Sequence, residues 1–126
     1  MKVFFLIGLG GASGSILRYL VYLIFTRHFG FVYPFQTLFV NIIGCLIMGL
    51  LIEFFNSKIN INDDFRHFLL IGFLGGFTTF SAFSSDFFNF MQAGNVIDAF
   101  IYIFTSVFSS IFAFFLGIYI IKAIIV

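Results

Sequence analysis

Apolar residues fill the chain in four long runs, and short polar segments separate these runs. The runs cover roughly residues 3–25, 35–55, 65–91 and 96–121. A helix needs about 20 mostly apolar residues to cross the hydrocarbon core of a bilayer, and each run is long enough. The only proline, Pro34, precedes the second run, where its missing N–H does no harm. The pattern predicts an all-α integral membrane protein with four transmembrane helices in one domain over residues 1–126.

The composition supports a lipid-facing surface. Of the 126 residues, 62% are hydrophobic and only 9% are charged, whereas soluble domains carry about 25% charged residues. The net charge of +1 gives no basic cluster for binding nucleic acid. No grouping of carboxylates, histidines or cysteines resembles an enzyme site or a metal cage, so we do not expect an enzyme. We expect a multi-pass protein of the inner (plasma) membrane, with the first run retained as a helix.

The third run contains a segment, residues 75–79, that is poorly suited to a helix. Its sequence is Gly-Gly-Phe-Thr-Thr, and we expect the third helix to break there, near the membrane midplane. A break frees backbone carbonyls, which are tolerated only where they are buried or bind something, such as a sodium ion. Phe80 and Phe83 follow directly. The positive edge of a phenyl ring can face a small anion without holding it tightly.

Polar residues recur at every fourth position in the second and fourth runs. The second run has Thr37, Asn41 and Cys45, and the fourth has Tyr102, Ser106 and Ser110. This spacing puts each set on one helix face. Such residues often bond to neighbouring helices or to their own backbone. Two matched stripes nevertheless favour a ladder of uncharged hydrogen-bond donors along a pathway.

Arg18 interrupts the first run, and two interpretations remain open. An arginine at the bilayer centre costs at least ~2.5 kcal/mol on insertion scales. The side chain either extends to an interface or draws anions towards a vestibule. Just upstream, Gly10 and Gly14 are four residues apart, a spacing that lets two helix backbones approach closely.

The basic residues outside the helices are distributed unevenly. With four spans, Lys2, Lys58, Arg66 and Lys122 share one side, and Arg27 is on the other. Basic residues are enriched in cytoplasmic loops, so this distribution favours both termini in the cytoplasm.

These motifs together resemble the Fluc (CrcB) family of fluoride channels. The resemblance rests on residues 10–19 (GGASGSILRY), 37–44 (TLFVNIIG) and 72–83 (GFLGGFTTFSAF), and it extends over nearly the whole chain. It implies an antiparallel, dual-topology dimer with two fluoride pores and a sodium ion buried at its centre. The dimer would be a homodimer or a pair with an oppositely oriented paralogue, and fluoride would leave the cytoplasm passively.

The resemblance also implies roles for individual residues. The pore residues would be Phe80, Phe83, Asn41, Thr37, Tyr102, Ser106 and Ser110, with Arg18 near the entrance and the carbonyls of Gly75 and Thr78 around sodium. Two positions depart from the family pattern. Gln36 stands where a glycine is usual, and Ala82 replaces a frequent threonine or serine. Neither departure removes a ligand that the resemblance implies.

Two other functions fit a small four-helix membrane protein. A proton-coupled exporter of cationic drugs needs a carboxylate inside the membrane. The first run carries Arg18 instead and Glu53 lies near the end of the second, so Asp86 is the best remaining candidate. In a non-transporting assembly protein, the glycine pairs would serve helix packing alone. Ion efflux from liposomes distinguishes these alternatives from a fluoride channel.

Overall fold

The computed structural model describes residues 1–30, 34–57 and 61–125, and nearly all of these are helical. We number the helices in chain order. They are α1 (Lys2–Phe29), α2 (Phe35–Asn56), α3 (residues 63–77), α4 (Phe80–Gln92) and α5 (Val96–Ile125). The helices α3 and α4 together form the third span, Asp63–Gln92, and all four spans are long and apolar enough to cross a membrane. The predicted four-helix membrane fold is therefore confirmed. The fourth span continues four residues beyond its predicted end at 121, and Lys58 lies outside the described residues.

The third span is interrupted about halfway along its length, as the Gly-Gly-Phe-Thr-Thr segment predicted. Thr78 has ψ 159° and Thr79 has φ −154° and ψ 121°, so both residues are extended between two helices. The Thr79 hydroxyl accepts a hydrogen bond from the Ala82 N–H at 3.1 Å and so caps the start of α4. The first half is itself irregular, because His67–Leu74 is π-helical. Such turns frequently occur at functional sites.

Two helix pairs build the structure, α1 against α3 and α2 against α5. Gly10 and Gly14 make the first pair possible. A Cβ at Gly10 would lie 2.8 Å from the Phe73 nitrogen, and one at Gly14 would lie 2.9 Å from the Phe77 nitrogen. Both distances are shorter than real contacts, so the two backbones touch where only glycine fits. This close packing fixes the position of the helix break relative to α1.

Charged residues at one end of the molecule have partners. The Lys2 ammonium lies 3.0 Å from the Asp64 carboxylate. The Arg66 guanidinium lies 5.4 Å from the centre of the Phe55 ring, a cation–π distance. These contacts connect α1 and α2 to the beginning of α3. They put Lys2 and Arg66 at the same end, as the four-span topology requires.

Candidate functional site

The Asn41 side chain is paired with the backbone at the helix break. Its Oδ1 accepts a hydrogen bond from the Thr79 N–H at 2.8 Å, and its Nδ2 donates to the Thr79 carbonyl at 3.0 Å. Thr79 is buried, so without Asn41 these two backbone groups would lose their partner away from water. An asparagine amide has two N–H donors. In the structure one is committed to Thr79, and a single N–H is left for a ligand.

A cavity of about 290 Å³ lies next to this pair, between the break and α5. The described residues that line it come from α2, the break, α4 and α5: Asn41, Cys45, Thr78, Thr79, Phe80, Phe83, Ser106, Val107, Ser110 and Ile111. Five predicted pore residues therefore meet in one place, although they come from three different spans. Eight of these ten residues are uncharged polar or aromatic, and most of the accessible surface of the wall is apolar. We call it the central cavity.

The two predicted pore phenylalanines differ in their surroundings. Their ring centres are 5.3 Å apart, on the first turn of α4. Phe83 is 8% exposed and packs 5.3 Å from the Tyr102 ring. Phe80 also lines the central cavity, but it is 76% exposed. Within one chain, Phe83 therefore borders the central cavity from inside, and Phe80 leaves most of its ring for another neighbour.

The serine hydroxyls of α5 are available for binding. Helical serines often donate to their own backbone, and Ser13 and Ser84 do so at 2.8 Å and 3.0 Å. Among the described residues, Ser106 makes no such bond. The Ser110 hydroxyl oxygen is buried with no hydrogen-bond partner of normal geometry, and its polar neighbour is the Cys45 thiol, a weak donor. Two hydroxyls of the predicted ladder thus face the central cavity uncommitted.

Asp86 joins the polar stripe, a role that the sequence interpretation missed. The Tyr102 hydroxyl donates to its carboxylate at 3.0 Å, and the Thr37 hydroxyl faces the same carboxylate. Tyr102 and Thr37 are both buried. The sequence suggested Asp86 only as the proton-carrying group of an exporter. A signal was present in the sequence, since Asp86 lies one helical turn beyond Phe83, but its partners are on other helices.

The Gly75 and Thr78 carbonyls, which the resemblance implies hold sodium, lie just before and at the helix break. In the described part of the chain, neither oxygen accepts a hydrogen bond. The Thr79 N–H, four residues after Gly75, bonds to Asn41, and the Ala82 N–H, four residues after Thr78, bonds to the Thr79 hydroxyl. The Thr78 hydroxyl donates its only hydrogen to the Leu74 carbonyl at 2.9 Å. Gly75 is exposed. A Cβ at Gly44 would collide with the Thr78 methyl group, so the glycine of α2 makes room for this turn.

Arg18 lines a second cavity of about 270 Å³ on the other side of Thr79. Ser15, Tyr19, Tyr22, Gln36 and Thr37 contribute polar groups to it. Arg18 has no ion-pair partner among the described residues. We call this space the Arg18 cavity.

The fold and the site define a class of protein. It is a four-span membrane protein with a broken third span, and uncharged donors and aromatic rings line a cavity within the depth of the spans. The particular family follows from the sequence, since residues 5–118 match the family model described as CrcB-like protein, Camphor Resistance (CrcB). The chain belongs to this family.

Curated relatives cover almost the whole chain. A protein of Rhizobium meliloti is 42% identical over 123 residues, which is 98% of each chain. One of Flavobacterium psychrophilum is 38% identical over 97% of this chain and 98% of its own. A third, of Phocaeicola vulgatus, is 42% identical over 94% of this chain and 98% of its own. All three bear the name Fluoride-specific ion channel FluC.

Proposed function

We propose that this chain is a fluoride-selective channel of the plasma membrane, through which fluoride leaves the cytoplasm down its electrochemical gradient. The names of its relatives support this function at about 40% identity over nearly their full length. The observation that carries it in this molecule is the pair of uncommitted hydroxyls, Ser106 and Ser110, beside Phe83 and the remaining Asn41 N–H. Together they give a hydrogen-bonding surface with no fixed charge.

Such a surface suits fluoride, which is small and strongly hydrated. A selective pore has to replace the lost water with donors that hold the ion weakly enough to release it. Hydroxyl and amide donors meet this requirement, and the edges of Phe80 and Phe83 add partial positive charge. Thr37 and Tyr102 extend the polar surface towards the Arg18 cavity. The Arg18 guanidinium raises the local anion concentration at the entrance.

Passive flow is sufficient for export. In an acidic medium, fluoride enters a cell as HF and ionises at the pH of the cytoplasm. The interior-negative membrane potential then supplies about 2.3 kcal/mol per 100 mV for expelling one negative charge. No covalent chemistry takes part, so the function is that of a channel and not of an enzyme.

The pathway is completed by a second copy of this chain or a close paralogue, in the opposite orientation. Ser81, Ser84 and Ser85 are exposed on α4, and Phe80 is mostly exposed beside them. The Ser84 hydroxyl donates to the Phe80 carbonyl, and the Ser81 hydroxyl pairs with that of Thr79. Ser85 has no such bond among the described residues, and a hydroxyl facing acyl chains without a partner is costly. A partner that covers α4 supplies a bond for Ser85 and brings the Phe80 ring against a second polar surface. Two copies related in this way give two equivalent pores.

A sodium ion at the centre of this dimer is part of the proposal. The carbonyl oxygens of Gly75 and Thr78 fit a hard cation, since both are unbonded and neutral. One pair from each subunit supplies four oxygens. Gly75 is exposed, so a cation bound to its carbonyl would have protein ligands on only one side in a single chain. This exposure supports a cation site shared between two chains. The ion would hold the two breaks together.

Fluoride efflux from liposomes tests the proposed function. The purified chain is reconstituted at low protein-to-lipid ratio, and a fluoride electrode records efflux into fluoride-free medium with a potassium ionophore present. We expect rapid fluoride release, no chloride release in a matched experiment, and no requirement for a proton gradient. Uptake of organic cations driven by a proton gradient would instead identify an exporter. If none of these solutes crosses the membrane, a non-transporting assembly protein is favoured.

A further inference from the structure

Two cavities meet at the first turn of α2. One is the Arg18 cavity of about 270 Å³. The other, of about 380 Å³, contains Asp86, Asn89 and Asn95 and is called here the Asp86 cavity. Tyr22 and Gln36 are the described residues that line both. These two side chains therefore form the boundary between the cavities.

The two cavities carry opposite charges. Arg18 places a guanidinium in one, and no carboxylate pairs with it among the described residues. Asp86 places a carboxylate in the other, held by Tyr102 at 3.0 Å. An anion is therefore attracted into the first space and repelled from the second. The side chains at the boundary determine how strongly the Arg18 and Asp86 charges act in the neighbouring cavity.

The Arg18 cavity is also the one that adjoins the central cavity. Thr79 lines both of these spaces, and Thr37, one residue after Gln36, lies on the same helix face as Asn41. The three cavities therefore adjoin one another in order. Gln36 lies between the Asp86 cavity and the Arg18 cavity, and Thr79 lies between the Arg18 cavity and the central cavity, which Phe83 lines. An anion that reaches the serine hydroxyls from the Arg18 side crosses a space that Gln36 lines.

We propose that Gln36 is a specificity-determining residue of the vestibule. Its amide N–H donates to a small anion in the Arg18 cavity, and its uncharged bulk separates that anion from the Asp86 carboxylate. The inference rests on the proposed fluoride conduction. Glutamine is half-buried here and has no hydrogen-bond partner among the described residues, so its amide is available. A glycine at this position would remove the donor and leave only Tyr22 between two oppositely charged spaces.

Two substitutions separate the amide from the bulk of the side chain. Gln36→Met keeps the length and removes the donor, and Gln36→Glu keeps the shape and adds a negative charge. Gln92→Glu is the matched control, because it adds the same charge at an exposed position that lines neither cavity. Efflux from liposomes is measured over a series of internal fluoride concentrations, at low and high ionic strength.

We expect Gln36→Glu to raise the fluoride concentration for half-maximal efflux about tenfold at low ionic strength, equivalent to about 1.4 kcal/mol. The maximum efflux should stay within about twofold of the parent, and added salt should shrink the shift because it screens the new charge. Gln36→Met should give a smaller shift that is insensitive to salt. Gln92→Glu should behave like the parent chain.

Specific results overturn the inference. If both Gln36 variants reach half-maximal efflux at the same fluoride concentration as the parent chain, Gln36 has no role in anion recognition. An equal, salt-insensitive loss of maximum efflux in both would assign it to packing alone, also against the inference. Failure of the parent chain to release fluoride would instead overturn the proposed function, and with it this role. A conducting parent with unaffected Gln36 variants overturns only the role of Gln36.

Discussion

Asn41 and Thr79 are 38 residues apart, and two hydrogen bonds of 2.8 Å and 3.0 Å join the Asn41 amide to both backbone groups of Thr79. The amide replaces the helical partners that the break takes away from Thr79. It therefore holds α4 at a fixed position relative to α2. Because Phe80 and Phe83 lie on the first turn of α4, Asn41 also sets where their rings stand relative to the Ser106 hydroxyl.

Asn41→Ala should lower both stability and flux. It leaves the buried Thr79 N–H and carbonyl unpaired, which costs roughly 1–3 kcal/mol for each group. We expect a lower melting temperature in detergent and loss of fluoride efflux. Asn56→Ala serves as the control, since Asn56 is an exposed asparagine at the end of α2 that lines none of the three cavities. An Asn41→Ala protein with the parent's melting temperature would show that the two bonds do not hold the break.

Local sequence predicted much of the fold, and the reason is physical. Run length alone marks a membrane helix, and residues 75–79 carry the poor helix propensity that breaks the third span. The partner of Thr79 could not be predicted, because it comes from α2 and depends on how helices pack. The same applies to the bond between Asp86 and Tyr102. The π-helical turn also escaped prediction, since His67–Leu74 reads as an ordinary apolar helix.

The sequence predicted several residues that line the central cavity, but it did not predict how these residues contact one another. Spacing of four put Ser106 and Ser110 on one face, and the structure brings that face to Asn41. Spacing does not reveal which hydroxyls bond to their own backbone, so the availability of Ser106 and Ser110 came from the structure. The difference between the two phenylalanines was equally hidden. Neighbours in three dimensions, and not propensity, decide that Phe83 is buried and Phe80 is not.

Phe83→Ile and Phe80→Ile should each reduce fluoride efflux by about tenfold or more, which corresponds to roughly 1.4 kcal/mol of barrier. Isoleucine keeps apolar bulk but lacks the positive ring edge that is proposed to face the anion. Phe112→Ile is the control, because that ring is 70% exposed on α5 and lines no part of the central cavity. Elution volume in detergent should not change in any of the three. Parent-like efflux in both test variants would remove the rings from the mechanism.

Tyr102→Phe should uncouple Asp86 from the polar stripe. The change removes only the hydroxyl that donates at 3.0 Å, and it keeps the ring that packs against Phe83. We expect a stability loss of about 1 kcal/mol and reduced fluoride efflux. In a double-mutant cycle with Asp86→Asn, the two losses should not add, because both changes act on one bond. Strict additivity would contradict a shared role.

Gly14→Ala and Gly8→Ala form a matched pair on α1. Alanine favours a helix over glycine by up to about 1 kcal/mol, so both changes should stabilise α1 if nothing stands in the way. A Cβ at Gly8 meets nothing within 4 Å, whereas one at Gly14 would collide with the Phe73 carbonyl. We expect Gly8→Ala to be neutral or stabilising, and Gly14→Ala to cost about 1–3 kcal/mol through overpacking. Equal melting temperatures would show that α1 and α3 are not packed backbone to backbone.

Sodium should stabilise the protein through backbone carbonyls and not through a side chain. A ligand at 100 times its dissociation constant adds about 2.7 kcal/mol of stability, so sodium should raise the melting temperature above its value in an N-methylglucamine salt of equal ionic strength. Thr78→Val tests the ligand atom, because it removes the hydroxyl that already donates to Leu74 and keeps the carbonyl. The sodium effect should persist in this variant. If the sodium effect is lost in Thr78→Val, the hydroxyl and not the carbonyl is the ligand. Equal melting temperatures of the parent chain in the two salts would argue against a sodium site at the break.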